Sequence, residues 1–208
     1  MDIQYYGANC IRISTKKGTL VVDDNIASLG GSNVARPGDI VAFTGPVSET
    51  KDARFIISRP GDYEIADISI NGVSARSHMD EEDASSATMY RIVVDDIRLA
   101  IVGHIYPKLS DVQLEALGAI DILLVPVGGN GFTLDTTGAL EIIKKIDPKV
   151  VIPTQYSDND LSYEVPAVSL DEALKGLGME VKDTLSKYKV KPAELLGDKP
   201  QLLVLERQ

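Results

Sequence analysis

Near Gly103 the chain changes its hydrophobic period, and that change restricts the folds open to it. Upstream, short β-rich runs at residues 2–6, 10–14, 19–23, 39–43, 54–58, 66–70 and 88–94 predict strands. Lys16-Lys17-Gly18 and Asp95-Asp96 read as hairpin turns, the second leading into a strand at 97–103. Gly30–Asn33 and Pro37-Gly38-Asp39 mark loops, and Asp80–Asp83 is an acidic exposed loop. Downstream, helices alternate with strands. Ser110-Asp111-Val112-Gln113 is a capping-box start for a helix that ends at Gly118, and Ser169–Glu172 is a second one for a helix ending near Gly178. Between them, Asp135 caps a helix over 136–146 whose Ala139, Ile142, Ile143 and Ile146 share one face, and Pro148 stops it. The runs at 120–129 and 149–153 are almost wholly apolar, as in strands covered on both faces, and 201–206 closes the chain as a strand. The expected fold is a single α/β (α+β) domain over residues 1–208, its sheets covered by helices, with no linker and no internal repeat.

The charge balance narrows function. With 21 Lys+Arg against 31 Asp+Glu, the formal net charge is −10. That field repels phosphate backbones and anionic bilayers, so neither nucleic acid nor a membrane is the expected partner. The first residues, MDIQYYGANC, lack a basic segment followed by an apolar one, and no apolar run approaches the roughly 18 residues of a membrane helix. A cytoplasmic protein is expected. The single cysteine, Cys10, excludes an internal disulfide framework and reads as a small buried apolar residue.

Motifs that would name a chemistry are mostly missing: there is no phosphate loop, no nucleophile elbow, no HExxH and no CxxC. Gly128-Gly129-Asn130-Gly131 follows a strand and precedes a helix cap, which makes it either a plain connection or a loop lining a pocket. The two histidines, His78 and His104, each stand just past a strand, where ligand sites gather in α/β sheets.

Three longer segments carry a resemblance. PGDYEIADISINGV (60–73), KLSDVQLEALGAIDILLVPVGG (108–129) and TLDTTGALEIIKKIDPKVVIPTQY (133–156) resemble the metallo-β-lactamase-fold hydrolases. The likeness is to the small single-domain branch that includes the ascorbate-phosphate lactonase-like proteins. MDIQYYGANCIRIST, TLVVDDN and LLVLE match the first hairpin, the strand ending in an aspartate and the last strand of that branch, so nearly the whole chain is covered. The resemblance implies a four-layer αβ/βα sandwich with its active site at one edge, where the two halves meet.

It also implies a metal centre whose ligand positions are altered here. Where the family carries HxHxDH, this chain has Gly45, Val47 and Thr50 at the histidine positions and Glu49 at the aspartate. His78 matches a family histidine, His104 takes the place of the bridging aspartate, Gln155 that of the last histidine, and Ala8-Asn9 that of the histidine after the first glycine. A catalytic zinc needs about three nitrogen, sulfur or carboxylate ligands and an open position. Glycine and valine offer no side-chain ligand, and an amide is a weak one. No zinc or other divalent cofactor is therefore expected, with Glu49, His78 and His104 as the fallback ligand set. Asp23, Glu49, His78, His104, Gly129 and Gln155 are expected to converge at one end of the sandwich. Three readings follow: a non-catalytic protein binding a small molecule or a protein partner, a hydrolase of lactones, esters or phosphoesters with an atypical mononuclear metal, and metal-free hydrolysis with His78 or His104 as base.

Overall fold

The computed structural model describes residues 1–50, 53–197 and 199–208. Its strands form two sheets. The smaller is built from β1 (Asp2–Tyr5), β2 (Ile11–Ser14), β3 (Thr19–Val22), β4 (Ile40–Ala42) and β5 (Phe55–Ile57), with β13 (Tyr188–Lys189) beyond β1. The larger takes β6 (Gly61–Ile65), β7 (Ile68–Ala75), β8 (Ala87–Val94), β9 (Ile97–Ile101), β10 (Ile122–Pro126), β11 (Val150–Thr154), β14 (Gln201–Leu205) and β12 (Val181–Leu185), in that spatial order. β6 to β9 form an antiparallel meander, while β9, β10, β11, β14 and β12 run parallel. That is the period change at Gly103 expressed as topology, since parallel neighbours need crossover connections and antiparallel ones need only turns. Asp95-Asp96 and Ala66-Asp67 have positive φ at both central residues, the backbone of a hairpin turn whose twist suits the strands.

Side chains of the smaller sheet alternate. Ile3, Tyr5, Ile11, Ile13, Leu20, Val22, Ile40 and Ala42 point inward and join the core shared with the larger sheet. Cys10, Val21, Val41 and Phe43 point outward into a second cluster. No α-helix covers that outer cluster among the described residues. Its lid is a 3-10 turn (Ile26–Leu29) and the chain around Val34 and Leu161. The fully buried Asp24 fastens this lid, because its carboxylate accepts from Val34 N at 3.0 Å and Ala35 N at 2.8 Å. The lid also explains a charge in mid-strand. Arg12 lies on the covered face of β2 and donates to Asp39 Oδ2 at 2.8 Å and to Val34 O at 3.1 Å.

The helices α1 (Asp111–Leu117), α2 (Thr136–Ile146) and α3 (Leu170–Leu177) lie at the expected places. α1 packs on β7, α2 on β10, and α3 on α2, so all three belong to the larger sheet. The buried stripe of α2 is Ala139, Ile142, Ile143 and Ile146, and each fully buried isoleucine contributes roughly 1.5–3 kcal/mol. Ser110 forms the complete capping box with Gln113. At Ser169 the recorded cap is the forward bond, from Glu172 N to Oγ at 3.2 Å. β6, β12 and β13 are strands that the hydrophobic pattern does not reveal. β6 and β12 are half-buried to exposed edge strands with charged residues, and β13 has two residues. No helix among the described residues is long and apolar enough to cross a membrane.

Candidate functional site

The C-terminal ends of β3, β4, β9, β10 and β11 meet at one edge of the sandwich, and most turn sharply there. Asp23 follows β3 at φ 53°, Gly103 follows β9 at φ 62°, Gly129 follows β10 at φ 67°, and Gln155 follows β11 at φ 55°. Gln155 and its partner Ala8 (φ 48°) are not glycines, and Gln155 N donates to Ala8 O at 2.6 Å. Left-handed backbone at such residues persists only where the surroundings over-determine it. Two glycines permit the close approach. A Cβ on Gly103 would lie 2.3 Å from Thr44 Oγ1, and one on Gly128 would lie 2.2 Å from the Gln155 carbonyl. Gly103→Ala combines that overlap with a left-handed φ, and we expect it to destabilise the fold by about 2 kcal/mol. Urea denaturation checks this, and an unchanged midpoint would show that Thr44 yields freely.

Asp23 is buried and fully engaged. It accepts from Thr44 N at 2.7 Å, Thr44 Oγ1 at 2.6 Å and Asn9 Nδ2 at 2.9 Å. Asn9 Oδ1 in turn accepts from Thr154 Oγ1 at 2.5 Å, and Thr44 O accepts from Thr88 N at 2.8 Å. Asn9, Asp23 and Thr44 belong to the smaller sheet and Thr154 and Thr88 to the larger, so this relay ties the two sheets together. Burial raises the Asp23 pKa, and the bonds from Thr44 and Asn9 oppose that rise.

His78 and His104 are neighbours. β8 starts only at Ala87, so the chain beyond β7 and the chain beyond β9 close over its end. There His78 N donates to His104 O at 2.7 Å, and Ser77 bridges Ile105. Each imidazole Nδ1 is shut off from solvent with no hydrogen-bond partner among the described residues. Neither Asp80 nor Glu49 bonds to the imidazoles among the described residues. Asp80 accepts from Ser77 N, Ser86 N and Ser86 Oγ instead, and Glu49 is exposed. Burial, and to a lesser degree the nearby His78, pushes the His104 pKa down to about 4. His104 is therefore a neutral imidazole at pH 7, packed at 4.8 Å and tilted by 52° against the Phe132 ring.

His104 and Gln155 line one cavity of about 190 Å³, together with Ala8, Asn25, Leu29, Phe132, Tyr163, Glu164 and Val165. Gln155 is 4% exposed, and the Tyr163 hydroxyl accepts from Ala8 N at 3.0 Å. His78 faces a different, more open groove of about 410 Å³, lined also by Tyr106, Asn130, Thr133 and Glu141. The glycine loop thus divides its work: Asn130 and Gly131 line the groove, Phe132 lines the cavity, and Gly129 makes the turn by donating to Leu134 O. Of the six residues expected to converge, His104 and Gln155 share the cavity. Asp23 stands behind it in the relay, His78 lines the separate groove, Gly129 makes the turn, and Glu49 is not among the lining residues. Asn25, Phe132, Tyr163 and Glu164 are the lining residues that sequence reading misses, since no motif marks them.

A metal fits this donor set poorly. Among the described residues, no three His, Cys, Asp or Glu side chains come together as a metal site. Glu49 is exposed in the loop after β4, and Glu49, His78 and His104 are not grouped as a metal-holding set among the described residues. Asp23 spends its lone pairs on Thr44 and Asn9.

Residues 2–155 match the family model described as the beta-lactamase superfamily domain. The chain belongs to the beta-lactamase superfamily. Within it, a UPF0173 protein of Pyrococcus abyssi is 30% identical over 178 residues, which span 75% of this chain and 83% of that one. A protein of Thermoplasma acidophilum named a UPF0173 metal-dependent hydrolase is 45% identical over 52 residues, 24% of this chain and 23% of its own length. Among solved structures, a Thermotoga maritima protein described as a Zn-dependent hydrolase of the metallo-β-lactamase superfamily superposes with a TM-score of 0.76 at 23% identity. That match covers 100% of this chain and 99% of the other. The two-sheet architecture is the metallo-β-lactamase fold, and in fold and family this superfamily member is hydrolase-like.

Proposed function

We propose that this chain uses the metallo-β-lactamase fold as a non-catalytic binding protein, with a small ligand seated in the cavity between His104 and Gln155. One observation carries the reading: at the edge where the resemblance places a metal centre, no three metal-binding side chains come together among the described residues. What stands there is a neutral imidazole, an amide and an aspartate already satisfied by hydrogen bonds. A metal-bound water poised near pH 7 needs about three firm protein ligands, and losing them removes both the geometry and the activated nucleophile.

The relatives' names favour a second reading, a metal-dependent hydrolase, which in this chain would use an atypical mononuclear site of zinc or another divalent ion drawing on Glu49, His78 and His104. Elemental analysis of protein purified without chelators separates the two. Under the first reading it finds less than stoichiometric metal, and activity assays find no lactone, ester or phosphoester hydrolysis. One zinc or more per chain would overturn that reading. A gain-of-ligand variant tests the scaffold: Gly45→His, Val47→His, Glu49→Asp, Thr50→His, His104→Asp and Gln155→His together. A Cβ at Gly45 meets nothing within 4 Å, so the loop has room. We expect zinc affinity to rise by more than about 100-fold, because several ligands are restored at once.

A further inference from the structure

We propose that the cavity between His104 and Gln155 takes a small organic cation, a primary ammonium group carried on a flat aromatic body. This rests on the reading above that the cavity is a ligand site, and it names the class of ligand. An ammonium group has three donors and no acceptor, so it needs oxygen atoms around it and no competing positive charge. The cavity meets both needs. Asn25 lines it with a side-chain amide. Gln155 adds a second amide, and Glu164 adds a carboxylate at the exposed rim. No lysine or arginine is among its lining residues. The rings of Phe132 and Tyr163 supply aromatic faces, to which a cation is drawn more strongly as water is excluded.

Beyond the lining, the charge is also negative. Arg207 is held by two carboxylates at once, Asp158 at 2.7 Å and Asp160, so this neighbouring cluster carries a surplus of one negative charge. An anionic ligand would meet the Glu164 carboxylate with no lysine or arginine among the lining residues to offset it. The same logic separates this cavity from the chemistry of a dication, which needs several charged or imidazole ligands at close range. One organic ammonium ion asks only for what is present: neutral oxygens, one carboxylate and a ring to lie against.

Benzylamine, benzyl alcohol and benzoate share a size and differ in charge, and they are the probes. Titration calorimetry and amide 1H–15N shifts on the full chain read the binding and its place. We expect benzylamine to bind about tenfold more tightly than benzyl alcohol, with benzoate the weakest, and to shift His104, Phe132 and Gln155. Glu164→Gln is expected to weaken benzylamine about threefold and to leave benzyl alcohol unchanged, the size of an exposed ion pair. If benzyl alcohol or benzoate binds as tightly at those residues, the cation is wrong and the ligand cavity stands. If none of the three moves those amides, both readings fall. Shifts confined to the groove beside His78 would overturn the placement.

Discussion

Asp39→Ala is expected to destabilise the fold by about 3–5 kcal/mol, the usual consequence of stranding a buried charge. Asp39 and Arg12 are 7% and 8% exposed and meet at 2.8 Å. Asp39 also accepts from Arg36 N at 2.8 Å, which pins the start of the Pro37-Gly38 turn. Removing the carboxylate leaves the Arg12 guanidinium under the lid with only Val34 O as an acceptor. The loss should appear in urea as a lower midpoint with an unchanged slope. Replacing both partners, Arg12→Met with Asp39→Leu, should recover most of it, because two apolar side chains remove the stranded charge as well as the bond. A single variant within about 1 kcal/mol of the parent would mean that water reaches Arg12 and the lid is looser than the bonds from Asp24 imply.

The second large effect is a dependence on pH. His104 titrates near 4 in the folded chain and near 6.5 when unfolded. Between those values the unfolded chain binds more protons, so stability rises with pH, and it falls as pH drops from about 6.5 to about 4. At 1.36 kcal/mol per pH unit the shift corresponds to about 3 kcal/mol across that window. Asp23 works in the opposite direction, since a carboxyl pKa raised by burial favours the protonated folded form and its contribution is lost as pH rises. Asp80 and Asp121, whose pKa values are lowered by their hydrogen bonds, act below the window. His104→Gln should flatten the pH 4–6.5 slope without changing its sign elsewhere. An identical slope in parent and variant would show that His104 does not report its burial.

The fold was more legible in the sequence than the site, for a physical reason. Period and caps are local signals: Ser110 with Gln113, Asp135 with Gly138, and the spacing of Ile142, Ile143 and Ile146 are each contained within one helix. β6, β12 and β13 escaped because edge strands are half solvated and carry charge, which blurs alternation. The site depends on contacts between distant residues. Tyr163 binds Ala8 across 155 positions, and Thr154 binds Asn9 across 145. His78 and His104 are legible as strand-end residues, yet nothing local says that one lines an open groove and the other a separate cavity. The position of Glu49 was also hidden, because a motif match fixes a residue's place in the chain and leaves its orientation free.

The relay from Thr154 through Asn9 and Asp23 to Thr44 has a consequence for how such a chain lives in a cell. It joins the strand ends of both sheets with groups that are part of the polypeptide from synthesis onward. An ion that joined them would enter the unfolding equilibrium, and the folded fraction would then track its free concentration. Bonds supplied by the chain's own side chains have no such variable. This link between the two sheets therefore forms without a loading step, and its strength does not vary with the free concentration of any ion.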